Sequence, residues 1–189
     1  MDDRTAEARI LDAAERLFYD YGIRSVGMDQ IRDASGVSLK RLYGLFPAKD
    51  QLAAAVLRRR DREFQQSLAA HLTGLPSPRS QILGVFDFLY AWFDEPGYRG
   101  CPFVNAFGEM SASSSSVTAA VEDQKRALAA FLSGLAADAG GPPALGEQLF
   151  ILVNGAMVAA AILHTPEAAK DARAAALLLI EAHPADALT

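Results

Sequence analysis

Met28-Asp-Gln-Ile-Arg-Asp-Ala-Ser-Gly-Val-Ser-Leu-Lys-Arg-Leu-Tyr-Gly-Leu-Phe46 decides the fold. It reads as two short helices joined by a tight turn at Gly36. The glycine supplies the positive φ that such a turn needs. Ser38 is placed to cap the second helix. Leu42, Leu45 and Phe46 then point inward. Lys40, Arg41 and Tyr43 lie on the other side, and Pro47-Ala-Lys49 follows at once. This is the layout of a helix-turn-helix, whose second helix enters the DNA major groove.

Helical spacing continues on both sides of this stretch. Upstream, Ile10, Ala13, Ala14, Leu17, Phe18 and Tyr21 make one apolar stripe, and Gly22 ends that helix. Downstream, Pro47 breaks the chain and a long helix begins at Lys49 or Asp50, running to about His71. Thr73-Gly-Leu-Pro-Ser-Pro78 is turn chemistry between two modules. An aromatic helix is expected over 80–94, with Phe86, Phe88, Tyr90, Trp92 and Phe93. Further helices are expected over 101–110, 117–137, 145–164 and 167–182. A serine in the run 111–116 should cap the third of these five. Strand signals are nearly absent. The expectation is an all-α chain of about nine helices: an N-terminal three-helix helix-turn-helix domain and a C-terminal helical domain.

Composition narrows the function. The 189 residues, 51% hydrophobic, suffice for one sizeable core or two small ones. A single cysteine, Cys101, excludes an internal disulfide framework and fits a reducing cytoplasm. Asp2 and Asp3 stand where a signal peptide would be basic, so none is expected. The longest apolar run, 149–163, contains Asn154 and Gly155 and falls short of the ~20 residues of a membrane span. The net charge is −5, yet residues 1–62 hold 12 Lys/Arg against 10 Asp/Glu. The basic side chains are therefore concentrated near the helix-turn-helix. His71, His164 and His183 are scattered without metal-ligand spacing, and no cofactor is expected.

The last two expected helices carry Ala156, Ala159, Ala160 and Ala161 on one and Ala172, Ala174–Ala176 and Leu177–Ile180 on the other. A helix apolar on nearly every side must be buried on nearly every side. A four-helix bundle formed with a second copy of the chain satisfies that demand.

Ala13-Ala14, Leu17-Phe18, Tyr21-Gly22, Met28-Asp-x-Ile31, Ala34-Ser-Gly-Val-Ser38, Leu42-Tyr43, Phe46 and Lys49-Asp-x-Leu52 together resemble the TetR family of bacterial transcriptional regulators. The resemblance covers about a quarter of the chain. Gly100-Cys101 followed by Asn105-Ala106 is similar to a motif of a subset of these proteins. The resemblance implies a homodimer that binds a palindromic operator in double-stranded DNA. It also implies a C-terminal body that senses a small molecule and usually releases the operator, most members being repressors. The functional division is then 1–48 for DNA binding and 49–189 for ligand binding and dimerisation. Where the family often has Thr before the second helix, this chain has Val26 and Gly27. Where it has a small residue and Thr or Ser before Leu-Tyr, this chain has Lys40 and Arg41.

On this reading Ser38, Leu39, Lys40, Arg41, Tyr43 and Gly44 form the face offered to the duplex. Arg41 is shaped for guanine O6 and N7. Tyr43 and Lys49 are expected on phosphates, Lys49 through its place at a helix N-terminus. Arg58–Arg60 and Arg62 are expected to solvate the long helix. Phe86, Tyr90, Phe93, Phe103, Phe107, Met110 and Met157 are candidates for an apolar effector pocket, with Asn105, Glu109 and Asn154 as its polar handles. A hydrophobic or aromatic effector fits such a lining. The competing readings are an all-helical enzyme or carrier of an apolar molecule, and a DNA-binding regulator signalled by a protein partner or by Cys101 oxidation.

Overall fold

Asp2 caps the first helix by accepting the Thr5 N–H at 2.8 Å, and α1 runs Asp3–Tyr21. The computed structural model describes residues 2–183. Among them are nine α-helices and no strand. They divide into two compact units, residues 2–63 with Pro102–Gln124 and Phe64–Cys101 with residues 125–183. Compactness and functional division are separate properties, and the cut after residue 48 concerns the second.

In the first unit, α1 buries Ala6, Ile10, Leu11, Ala13, Ala14, Leu17 and Phe18, the expected stripe. Tyr21, the stripe's last expected member, is 65% exposed. Gly22 at φ 84 turns the chain, its N–H still bonded to the Phe18 carbonyl. The second helix, α2 (Met28–Ser35), has no side chain at its N-cap, Gly27. Gln30 instead reaches back and takes the Gly27 N–H at 2.7 Å. Gly36 sits in the left-handed region at φ 65 and closes α2 on the Arg32 carbonyl. The third helix, α3 (Leu39–Leu45), follows from Ser38. Ile10, Ile31, Leu42 and Leu52 are fully enclosed. The fourth, α4, runs Lys49–Leu72.

The arginine run of α4 does more than solvate it. Arg59 donates to Asp12 at 2.7 Å and to Glu15 at 2.6 Å, and Arg60 donates to Glu15 at 2.8 Å. Glu15 thus ties two guanidinium groups of α4 to α1. Burial works against the charge on Arg59, but the bonds to Glu15 and Asp12 outweigh it and raise its pKa.

In the second unit, α5 (Pro78–Phe93) packs against α9 (Glu167–Glu181) and α8 (Pro143–Leu163). Phe88 and Trp92 stack on Phe64 with ring centroids 5.6 Å away in each pair. Of the two further helices, α6 (Pro102–Met110) belongs to the first unit, and α7 (Ser115–Asp138) has its residues up to Gln124 in the first unit and the rest in the second. A Cβ on Gly146 of α8 would stand 2.7 Å from the Ser133 Cα of α7, so only glycine permits that approach. His164 ends α8 in the left-handed region at φ 53. The serine run includes buried Ser114, whose hydroxyl accepts the Val117 N–H at 3.3 Å and so caps α7.

The two closing helices are not buried on every side. Leu145, Leu149, Val153, Ala156 and Ala160 of α8 and Ala169, Ala172, Ala176 and Ile180 of α9 are buried within the chain. Ile151, Val158, Ile162, Leu163 and Leu178 are left exposed. The periodicity, i, i+7 and i+11 on α8, puts Ile151, Val158 and Ile162 on one face. α8 is also long and apolar enough, by length and composition alone, to cross a bilayer.

Candidate nucleic-acid interface and effector region

The exposed side of α3 is polar and basic because its apolar residues point the other way. Leu42 is enclosed and Phe46 buried, while Leu45 is half-buried. Ser38, Lys40, Tyr43 and Gly44 are exposed, and Leu39 and Arg41 are half-buried. A Cβ on Gly44 would meet nothing within 4 Å. That leaves the backbone open to close approach. Ser38 occupies the N-cap position, but its hydroxyl makes no capping bond. The expected cap is therefore not made in this conformation.

Arg41 is not free. Its Nη2 and Nε donate to one carboxylate oxygen of Asp3, at 2.6 and 3.2 Å. On α2, Arg32 donates to Asp33 at 2.8 Å and to Asp29 at 2.7 Å. The bond from Arg32 holds the Asp33 carboxyl below its ordinary pKa.

Lys49, expected on a phosphate, is directed at the chain between α1 and α2. Its ammonium donates to the carbonyls of Ile23, Val26 and Arg24, at 2.9, 3.0 and 3.2 Å. An ammonium has three donors, and all three are committed to the chain between α1 and α2. Glu109, expected as a polar handle for an effector, contacts the same connection. Its carboxylate accepts the Arg24 N–H at 2.9 Å. Gly22 leaves it room, since a Cβ there would stand 3.0 Å from Glu109 Oε2. Asp50, the next residue of α4, accepts from Ser114 at 3.0 Å and from Ser116 at 3.2 Å. Sequence reasoning missed the network of Lys49, Glu109, Asp50 and Ser114, because its partners are mostly backbone groups or residues far along the chain.

The expected effector residues are divided between the two units. Phe103, Asn105, Phe107, Glu109 and Met110 belong to the first unit, and Phe86, Tyr90, Phe93, Asn154 and Met157 to the second. Phe103 and Met110 are buried. Asn105 is exposed, and Phe107 is 47% exposed. In the second unit Phe86 and Tyr90 line a cleft of about 150 Å³ with Asp87, Ala169, Lys170 and Arg173. Lys170 stands 4.5 Å over the Tyr90 ring, and its bond to Glu167 raises its pKa. Arg173 Nε lies 2.8 Å from Asp87 Oδ1, close enough for charge attraction but not aligned as a hydrogen bond. Phe93 stacks on Tyr98 at 4.9 Å, and the Tyr98 hydroxyl donates to the Met157 carbonyl at 3.0 Å.

Asn154 accepts from Lys125 Nζ at 2.6 Å and donates to the Phe150 carbonyl at 2.8 Å. The same ammonium lies 3.6 Å from the sulfur of buried Cys101. Gln124, also missed in the sequence, is buried, and its Oε1 has no hydrogen-bond partner among the described residues.

A two-helix turn that presents a short basic helix on a closed three-helix core defines a helix-turn-helix DNA-binding protein. Residues 10–56 match the model of the bacterial regulatory proteins of the tetR family. The chain is similar to a TetR-family transcriptional regulator from Streptomyces coelicolor, with 31% identity, 95% of this chain and 96% of that one covered, and a TM-score of 0.88. It is 35% identical over 78 residues to an uncharacterised HTH-type transcriptional regulator of Mycobacterium tuberculosis, covering 41% of this chain and 39% of that protein. It is 34% identical over 102 residues to the HTH-type transcriptional activator FasR of Mycolicibacterium smegmatis, covering 52% and 45%. These matches thus span less than half the length of the curated relatives. The chain belongs to the TetR family, and it is a DNA-binding transcriptional regulator.

Proposed function

We propose that this protein is a homodimeric cytoplasmic repressor that binds a palindromic operator and is released by a small hydrophobic or aromatic molecule. The observation that carries the dimer is the apolar face left open on the closing helices. Ile162 and Leu178 are each 68% exposed. Large apolar side chains left exposed along one helix face mark an interaction surface. A second copy covers it by isologous packing, which also explains why the apolar α8 need enter no bilayer. Two copies then place two α3 helices on one duplex, ~34–36 Å apart or a multiple of that.

On this reading residues 1–48 read DNA, with Ser38, Leu39, Lys40, Arg41, Tyr43 and Gly44 at the duplex. Residues 49–189 dimerise and sense the effector. The aromatic interior of the second unit supports an apolar ligand, and Asn154 held by Lys125 is its polar handle. Ile162→Glu and Leu178→Glu each put a charge on the open face without touching the core. Each should sediment as a monomer and lose operator affinity. Either variant remaining a dimer with full affinity overturns the placement of the interface on this face, and a wild type that sediments as a monomer overturns the dimer reading. A gel shift on the gene's own upstream DNA, with and without candidate apolar compounds, tests release. A reporter driven by that DNA gives the sign of regulation.

A further inference from the structure

The pairing of Arg41 with Asp3 joins the DNA-facing helix to the first residue of α1, 38 positions earlier in the chain. Asp3 stands on a fixed element. Asp2 caps α1 through Thr5, and Ala6 and Ile10 on the next turns are fully buried. The carboxylate itself is 78% exposed, and the arginine side chain 31%. The guanidinium offers five N–H groups in a rigid fork. Asp3 takes the Nε–H and one N–H of Nη2, the side edge of the fork. The end edge, Nη1 with the outer N–H of Nη2, is left for another acceptor. Two donors on one edge are what guanine O6 and N7 require.

We infer that Asp3 is a specificity-determining positioning residue, which orients Arg41 so that its end edge meets a guanine at one operator position. The inference rests on the reading that Arg41 contacts a base. An arginine held in this way loses less conformational freedom on binding. It also loses the freedom to swing onto a neighbouring phosphate, which would carry no sequence information. Asp3 is at the same time a negative charge near the duplex and weakens binding to all sequences alike. Asp2 adds to that field: the Thr5 N–H holds its carboxyl below the ordinary pKa, and the Arg41 charge contributes in the same direction. Specificity and overall affinity therefore change in opposite directions when Asp3 is neutralised. A residue with a merely structural role does not produce that split.

The test uses the full chain and a pool of randomised duplex DNA, with bound sequences counted for the wild type, Asp3→Asn, Asp3→Glu, Arg41→Ala and the Asp3→Asn/Arg41→Ala double variant. Affinities are then measured for the selected duplex and for a scrambled one. Arg41→Ala should erase the preference at one position. Asp3→Asn should flatten the same position by about three- to tenfold while tightening binding to the scrambled duplex. Asp3→Glu should keep most of the preference. In the Arg41→Ala background, Asp3→Asn should leave the base profile unchanged. If Arg41→Ala changes the profile and Asp3→Asn does not, the positioning role is refuted while base contact by Arg41 stands. If Asp3→Asn tightens the selected and scrambled duplexes by the same factor, Asp3 only repels DNA and the inference is refuted. If Arg41→Ala leaves the profile intact, base reading by Arg41 falls and the role of Asp3 falls with it.

Discussion

Lys49→Met keeps an unbranched side chain of similar length and removes only the ammonium. Three carbonyls then lose their donor: Ile23, Val26 and Arg24. The Arg24 carbonyl is exposed and water replaces the bond at little cost. Ile23 and Val26 are buried residues, and their carbonyls are part-covered. Each part-buried acceptor left unpaired costs about 1–3 kcal/mol, less where water reaches it. The expected loss is therefore about 2–4 kcal/mol, against a total stability of about 5–15 kcal/mol. The variant should fold but show a lower urea midpoint with an unchanged slope. Operator binding at a temperature where it is fully folded should keep the wild-type salt dependence. A lysine that bound a phosphate would give the opposite pattern: unchanged stability and a salt slope smaller by about one unit. That second result would refute the assignment of Lys49 to the chain between α1 and α2.

Glu15→Ala leaves Arg59 and Arg60 without their shared carboxylate; because Arg59 is mostly covered, unfolding should show a loss of about 1–3 kcal/mol. Removing Arg59 as well should add less than its single-variant effect. Gly146→Ala drives a methyl to 2.7 Å from the Ser133 backbone, which should destabilise by about 1–3 kcal/mol in thermal unfolding. Gly134→Ala, with nothing within 4 Å, should instead stabilise by up to ~1 kcal/mol.

The helix-turn-helix could be read almost residue by residue. Gly36 at φ 65 occupies the place that only a glycine fills cheaply, and Ile31, Leu42 and Leu52 are enclosed, as an inward-facing spacing requires. Such signals are local, so a one-dimensional reading captures them. The closing helices were legible as apolar but not as two-faced. Ala160 and Leu178 are similar in the sequence pattern, yet Ala160 is buried inside the chain and Leu178 is open. Which face a neighbouring helix takes depends on tertiary packing, and an alanine-rich stripe serves either side equally well.

The exposed side of α3 was legible in the sequence, while the partners of Lys49 and Glu109 were not. A charged residue amid apolar ones suggests a partner, and sequence reasoning looks for that partner among ligands or solvent. The chain between two helices also has needs: its amides and carbonyls belong to no helical ladder and must find other partners. Glu109 meets one such amide, and Lys49 meets three carbonyls. Both side chains therefore hold in place the connection that precedes α2, and with it the turn that presents α3. A residue three helices away from the duplex can thus belong to the DNA-reading apparatus without touching DNA. The partner of such a charged residue is accordingly to be sought first in the backbone of neighbouring connections, and only then in a ligand.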